Sequence, residues 1–484
     1  MSREHDAPTA RPGSVAEFLL VAFPLIISCG SVSIQLVVDR LFLTWYSPNA
    51  LAAATSSGML YWTFASFAMG TASYVQTFVA QYEGAGRKHR VASALWQGIY
   101  VSIVGGLLLM ASIPFSASMF RAIGHEPAML QQMESKYFVV LMLGIVPHLI
   151  GTTLGCFFTG RGDNWTVLAV NAVSTLLNVF FDYLLIFGAW GVPEFGIEGA
   201  AAATALAGIS NCLLYMGLIW RKPEIKEYEV WDARKFEWAL FRRLLKFGLP
   251  NGMHFFLDVL CFTVFVQLVG GMGGNALAST SLAFALNSLS FLPMMGVGTA
   301  VSTLVGRRIG EGRPELGARS TWIASIASTA YMSVFIVIYL FAPDVILAPY
   351  AYFSRSDDFA AIHAEVVTLL RFVAFYSLFD ALAMVFSSAI RGAGDTRFAL
   401  LFNVCSGITL MVIPTGLIYL YQPSVLLAWT SLTAYITFLA FGYLWRFLDG
   451  KWRSMRVIEG ANELEAEGEE STGEPEDEAL ACMK

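Results

Sequence analysis

Twelve stretches of this chain run for some twenty or more mainly apolar residues, at roughly 17–45, 52–80, 92–115, 132–159, 165–188, 195–220, 241–270, 276–306, 319–342, 363–391, 397–420 and 424–447. About twenty such residues, coiled as an α-helix, cross the hydrocarbon core of a bilayer. The other spanning solution, a closed barrel, needs strands of about ten alternating residues, and none is found. The pattern predicts an all-α integral membrane protein of twelve transmembrane helices. The polar interruptions are equally ordered. Span 1 carries Ser28, Ser31, Gln35 and Asp39, and span 5 carries Asn171, Thr175, Asn178 and Asp182. Span 7 carries His254, Asp258 and Cys261, and span 10 carries Tyr376, Asp380 and Ser387, with Arg391 at its inner end. Each series falls on one helix face. Such a stripe must face protein or water, because lipid satisfies no polar group.

The two halves repeat each other in nearly constant register. Pro24 matches Pro250, NALA at 49–52 recurs at 275–278, Met69-Gly70 recurs as Met295-Gly296, and EGAG at 83–86 parallels IGEG at 309–312, all 226 apart. GDN at 162–164 parallels GDT at 394–396, and Asn171 parallels Asn403, both 232 apart. This predicts a duplicated six-span unit. Six is even, so both halves enter from the same side. The repeats are then parallel, related by an axis along the membrane normal, with a central cavity between them.

Four acids lie well inside spans: Asp39, Asp182, Asp258 and Asp380. A charge there costs ~2.5–3.5 kcal/mol or more, so each is a functional candidate. At 1.5 Å per residue, Asp39 and Asp182 lie roughly 10 Å below the outer loops, and Thr204 in span 6 falls at a similar depth. Asp39, Asn178, Asp182 and Thr204 together offer carboxylate, amide and hydroxyl oxygens and no sulfur. That donor set suits Na⁺, or a proton shared between two carboxylates. Asp258 and Asp380 lie deeper, roughly 20 Å from the outer surface. No acid has an acidic repeat partner: Asp39 corresponds to Phe265, Asp182 to Pro414, Asp258 to Val32 and Asp380 to His148. The scaffold is symmetric and the chemistry is not. The plainer reading of each acid is a satisfied interhelical hydrogen bond. His254, one turn before Asp258, reads either as a proton relay or as a packing histidine, and His148 as structural. Arg40 is expected to snorkel outward or to pair with an acid on another helix. Aromatic residues, 14% of the chain, line an organic-cation pocket or face lipid and core.

The chain has 484 residues, 56% of them hydrophobic and 14% charged, with a mean hydropathy of +0.61. This lies far from soluble composition. The polar N-terminus MSREHDAPTARPGS precedes no short apolar segment with a cleavage site, so no cleaved signal is expected. With the N-terminus inside, 25 of the 30 basic residues fall in cytoplasmic loops, tails and span ends; Arg40, Arg121, Lys136, Arg355 and Arg371 do not. That asymmetry predicts both termini cytoplasmic in the cell membrane. Residues 459–484 hold ten acids and one lysine, which predicts a solvated, disordered tail. The expected divisions are an N-terminal tail (1–16), a first lobe (17–220), a linker (221–240), a second lobe (241–447) and an acidic tail (448–484). The six cysteines are scattered without a C-x-x-C, so neither a metal site nor a disulfide framework is expected.

These features together resemble the MATE family of multidrug and toxin extrusion antiporters over nearly all of residues 15–447, and its NorM branch in particular. The resemblance is carried by the parallel six-span lobes, by RGAGDT at Arg391–Thr396 with GRGDN at Gly160–Asn164, by LAAATSSGM after span 1, and by GIEGAAAATAL opening span 6. It implies that Asp39 in LVVDRLF, fifteen residues after the bend-forming Pro24, is the family's span 1 aspartate. It implies a first-lobe cation site of Asp39, Asn178, Asp182 and Thr204, and a second-lobe site for cation or substrate with Asp258, Asp380 and Tyr376. Asp258 stands where the NorM branch carries a glutamate. Arg40 stands where a small or hydroxyl residue is usual.

The resulting expectation is a secondary active multidrug efflux transporter, exchanging Na⁺ or H⁺ for amphipathic organic cations by alternating access of two lobes. It is expected to act as a monomer among membrane lipid, without nucleic acid and without a cofactor beyond the coupling ion. The rival is a flippase for a lipid-linked precursor, which calls for cationic residues in the central cavity. An enzyme is not expected, since neither H-E-x-x-H nor G-x-S-x-G occurs, and no G-x-x-x-x-G-K-[ST] marks an ATP-driven pump.

Overall fold

The computed structural model describes residues 10–123, 128–353 and 356–459. Arg355 and the tail beyond Glu459 lie outside the described residues. Among those described, ten helices are long and apolar enough to cross a membrane; the pair Ala128–Leu143 and Ile145–Arg161, bent by 47°, forms an eleventh. The expected span 2 falls on Pro48–Ser73, continued past Tyr74 by Val75–Gly84, which is not among these. Its repeat partner, 226 residues on, is the single helix Gly274–Gly310, and both ends match. The all-α architecture therefore follows the periodicity of the sequence, with ten or eleven of the twelve expected spans meeting that length and apolarity among the described residues.

Spans 1 to 6 are Val15–Tyr46, Pro48–Gly84, Lys88–Met110, Ala128–Arg161, Asn164–Phe187 and Gly196–Arg221. Spans 7 to 12 are Trp238–Gly270, Gly274–Gly310, Pro314–Phe341, Ser356–Ala393, Thr396–Tyr421 and Val425–Asp449. Span 11 is not regular: Gly407–Val412 forms a π-segment just before Pro414, where span 5 runs straight through Asp182. Proline lacks the N–H that an α-turn needs, and a wider turn accommodates the loss.

The GDN and GDT turns each place an ion-paired aspartate at the N-cap of span 5 or 11. Asp163 caps span 5 by accepting from Thr166 N and Oγ1 at 3.3 and 2.8 Å, and pairs with Lys222 Nζ at 2.7 Å. Asp395 pairs with Arg446 Nε at 2.7 Å. Each aspartate thus ties the start of one span to the end of the next. Burial alone would raise the Asp163 carboxyl. Lys222 and Thr166 outweigh it and hold the group below its ordinary 3.8. A depressed folded value contributes stability above the unfolded value and loses it as pH falls through the folded one. Asp163→Asn keeps a capping oxygen and loses the ion pair, so it should cost roughly 0.5–1 kcal/mol at pH 7. A thermal melt in detergent should show that gap closing as pH falls below 3.8.

One expectation needs correction. The region expected as a tail from 448 onward is packed through Glu459: Lys451–Ser454 is a short helix, and Trp452, Val457, Ile458 and Glu459 are buried. The linker 221–240 packs against span 3. Ile225, Tyr228, Val230 and Ala233 are buried, Trp96 Nε1 donates to Val230 O at 2.6 Å, and Gln97 Nε2 donates to Lys235 O at 3.0 Å.

The lobes meet through glycines, as expected where lipid supplies no hydrophobic drive and close backbone approach must hold helices together. A Cβ at Gly84 would lie 2.0 Å from Arg307 O, and one at Gly310 would lie 2.0 Å from Gln81 O. Higher on the same seam, a Cβ at Gly70 would lie 2.9 Å from Gly252 Cα, and one at Gly296 would lie 2.7 Å from Ile26 N. All four contacts obey the 226-residue repeat. All lie on the half of the molecule that carries Val15 and Asp449, the terminus-bearing side, which is thus sealed.

Candidate functional site

In the first lobe, hydrogen bonds set the register of three spans. Between spans 1 and 5, Asn164 Nδ2 donates to Val21 O at 2.9 Å and Asn171 Nδ2 donates to Ser28 Oγ at 2.7 Å, both pairs 143 residues apart. Thr175 Oγ1 donates to Ser31 O at 3.5 Å. The two polar stripes therefore face each other. The same register sets Asp39 level with Asp182. Spans 5 and 6 run antiparallel: Asn211 Nδ2 donates to Asn171 Oδ1 at 3.1 Å and Ser174 Oγ donates to Ala207 O at 3.0 Å. That register sets Thr204 level with Asn178.

The upper part of this stripe differs from the lower. Asn171, Thr175 and Ser28 are bonded, whereas Asp39 Oδ1, both amide atoms of Asn178 and both oxygens of Asp182 are buried without a hydrogen-bond partner among the described residues. Asn178 and Asp182 are fully buried and Asp39 is 7% exposed. Buried polar groups are nearly always satisfied, and each unsatisfied one is costly. Asp39 and Asp182 also repel each other, and both act on the Tyr137 hydroxyl. Thr204 is part-buried and makes no side-chain hydrogen bond among the described residues. Arg40 neither pairs with an acid nor simply snorkels: its Nη1 donates to Thr55 Oγ1 of span 2. Its charge still acts on neighbouring Asp39.

In the second lobe the hub is Asn403. Its Oδ1 accepts from Tyr435 Oη at 2.5 Å, and its Nδ2 lies 3.1 Å from His254 Nε2 and 3.3 Å from Asp258 Oδ1. Tyr443 Oη lies 3.5 Å from His254 Nε2. With Asn403 donating, His254 Nε2 accepts, and the proton sits on Nδ1, which is buried without a partner. Among the described residues His254 and Asp258 make no direct bond; they share Asn403. Asp380 is part-buried, accepts no hydrogen bond among the described residues, and repels Asp258. Tyr376 is buried with its hydroxyl unpartnered, and its ring lies 6.4 Å from that of Trp429.

Asn403 and Asn171 are the repeat partners identified in the sequence. Each cross-links span 1 or 7 of its lobe to span 6 or 12. Ser28 and His254, their partners in spans 1 and 7, are themselves 226 apart. Sequence reasoning used this asparagine pair as a register mark and missed its role as a hub. It also underrated Arg391. That guanidinium bonds Asn251 Oδ1 at 3.4 Å, lies 5.5 Å over the Phe255 ring, and attracts Asp258. Asp258 therefore has a cationic neighbour, one that reaches up from the inner end of span 10.

The model of the family described as MatE matches this chain twice, over residues 24–184 and 250–417, once within each lobe. A probable multidrug resistance protein NorM of Thermotoga maritima is 26% identical, covering 87% of this chain and 89% of its own length. One of Burkholderia mallei is 27% identical and covers 92% of both. Among solved structures, the outward-facing conformation of a multidrug resistance MATE family transporter of the MOP superfamily superposes with a TM-score of 0.81 at 19% identity, over 92% of this chain and 99% of that one. A MOP superfamily transporter from Pyrococcus furiosus, described as having a binding pocket of reverse polarity that suggests a different function, also gives 0.81 at 19% identity, over 92% and 100%.

Proposed function

The chain belongs to the MatE family of membrane transporters, and on that premise we propose that it is a secondary active multidrug efflux transporter exchanging Na⁺ or H⁺ for amphipathic organic cations. It is a transporter and not an enzyme. The observation that carries the reading is the set of five unpartnered buried atoms on Asp39, Asn178 and Asp182. A purely structural stripe would have closed these bonds, as it does at Asn171 and Ser28. A cation placed among them would satisfy the oxygens and remove the repulsion between the carboxylates. Thr204 would add its hydroxyl. The curated relatives that align with nearly the whole chain are named for multidrug resistance, which supports the substrate class.

Asp258, Asp380 and Tyr376 then form the second-lobe site, where an incoming cation and an outgoing organic cation compete for the same carboxylates. His254 would pass a proton to Asp258 only through Asn403. The membrane-facing distribution of basic residues supports cytoplasmic termini, and no part of the reading requires more than one copy of the chain. Alternating access would come from parting of the glycine seam on the terminus-bearing side.

The test is reconstitution in liposomes with a fluorescent organic cation and an imposed Na⁺ gradient at clamped pH. Dye moving against the Na⁺ flow is expected, and would select Na⁺; movement only under a proton gradient would select H⁺. Silence under both would overturn the antiport reading in favour of a lipid-precursor flippase.

A further inference from the structure

Beyond span 12 the chain returns across the seam between the lobes. It turns at Gly450 (φ 75°), forms Lys451–Ser454, and stacks Trp452 on Phe447 at 5.1 Å between ring centroids. The next residues run onto the first lobe. Val457 N donates to Gln81 Oε1 at 2.9 Å, while Gln81 Nε2 donates to Gly392 O at 3.1 Å. Glu459 follows, 4% exposed. Tyr82 Oη donates to its Oε2 at 2.5 Å, Arg243 Nη1 lies 3.1 Å and Arg90 Nη2 3.6 Å from its Oε1, and Arg87 Nη1 donates to its backbone carbonyl at 3.1 Å. Tyr82, Arg87 and Arg90 belong to the first lobe and Arg243 to the second.

We propose that this pocket is an inter-lobe carboxylate site, and that Glu459, seated in it, clamps the terminus-bearing side shut. The inference rests on the reading that the lobes part on this side during transport. The carboxylate accepts one charge-assisted hydrogen bond, from Tyr82, and is ion-paired with two guanidiniums in a place where water screens little. The contacts to Tyr82, Arg87 and Arg90 exist only while both lobes are together, and Arg243, on Glu459's own lobe, holds the carboxylate in place to make them. They stabilise the closed arrangement alone, and so bias the equilibrium by whatever is lost on opening. A strap that merely covered apolar surface would have no use for a buried acid. The site also sits one turn from Gly84 and Gly310, where the backbones touch, so unseating Glu459 and opening the seam are one event.

The test uses the full chain in nanodiscs, with native cysteines replaced by serine and spin labels at His89→Cys and Glu315→Cys. These exposed positions lie 226 apart at matching places in the two lobes. Electron–electron spin resonance should give one short distance when Glu459 is present. Glu459→Gln keeps the volume and an acceptor for Tyr82, so folding is not at stake, and a melt checks it. It should add a longer distance, raising the open-to-closed ratio roughly tenfold or more. Arg243→Gln should do the same. Unchanged distances in both variants, beside a shift in Gly84→Ala, would overturn the clamp and leave the moving-lobe reading standing. Distances fixed in all three would overturn both.

Discussion

Asp182→Asn is expected to abolish gradient-driven transport, with initial rates reduced roughly 100-fold or more, while leaving the protein at least as stable as the wild type. The magnitude follows from removing a direct ligand, since even outer-shell changes at ion sites cost about 10–100-fold in affinity. The stability follows from burial. Asp182 is fully buried, neither oxygen has a partner, and Asp39 repels it. An amide of the same size carries no charge to bury and removes the repulsion. This separates a ligand from a structural carboxylate such as Asp163, whose loss should lower the melting temperature. The second readout is linkage. Na⁺ at about 100 times its dissociation constant stabilises the state that binds it by about 2.7 kcal/mol. Melting in Na⁺ against choline should show that gain in the wild type and none in the variant. If Na⁺ leaves the wild type unmoved, the same pair is compared across pH for a proton-coupled effect. Wild-type transport by Asp182→Asn would sink the first-lobe site.

The second large effect is expected at the glycine seam. Gly84→Ala puts a methyl 2.0 Å from Arg307 O, and Gly310→Ala puts one 2.0 Å from Gln81 O. Both obstacles are backbone, which no rotamer change moves aside. The helices must separate by about 1.4 Å to reach ordinary contact at 3.4 Å. A packed seam of this kind is bistable and does not deform smoothly, so the lobes should part and the closed terminus-bearing state should be lost. Transport in liposomes should fall for either variant, most for the pair, and spin-label distances across the seam should lengthen. Gly217→Ala is the control. It meets nothing within 4 Å and should behave as wild type, slightly stabilised by its helix propensity. Undiminished transport by the double variant would mean that the seam is not closed during the cycle.

Much of this was legible in the sequence because its physical causes are local. Hydrophobic length dictates spans wherever a bilayer is the solvent, and helical spacing placed Ser28, Ser31 and Asp39 on the same face as one another. Duplication at 226 and 232 residues carried the lobe pairing. It even marked Gly84 and Gly310, through EGAG and IGEG, although not that their backbones touch. The partner of Arg40 was not legible, because Thr55 and an acid on another helix satisfy a guanidinium equally well on paper. Nor was the second-lobe hub. Asn403 is an unremarked amide until span 12 brings Tyr435 to one side of it and span 7 brings His254 and Asp258 to the other. The tail was misjudged for a related reason. A run of acids reads as solvated by composition, and composition cannot register that its first member, Glu459, meets Arg243 and Tyr82 across the seam.

By itself, then, the sequence determined what each helix must do alone: cross the bilayer, turn one polar stripe away from lipid, and repeat once. These follow from the 3.6-residue period and from the cost of unsatisfied backbone in hydrocarbon, and neither depends on a neighbour. The tertiary structure alone decided which polar atoms are satisfied. That property belongs to pairs of helices, set by register to within one residue. It separates Asn171, bonded on both sides, from Asp182, eleven positions later on the same helix, bonded on neither.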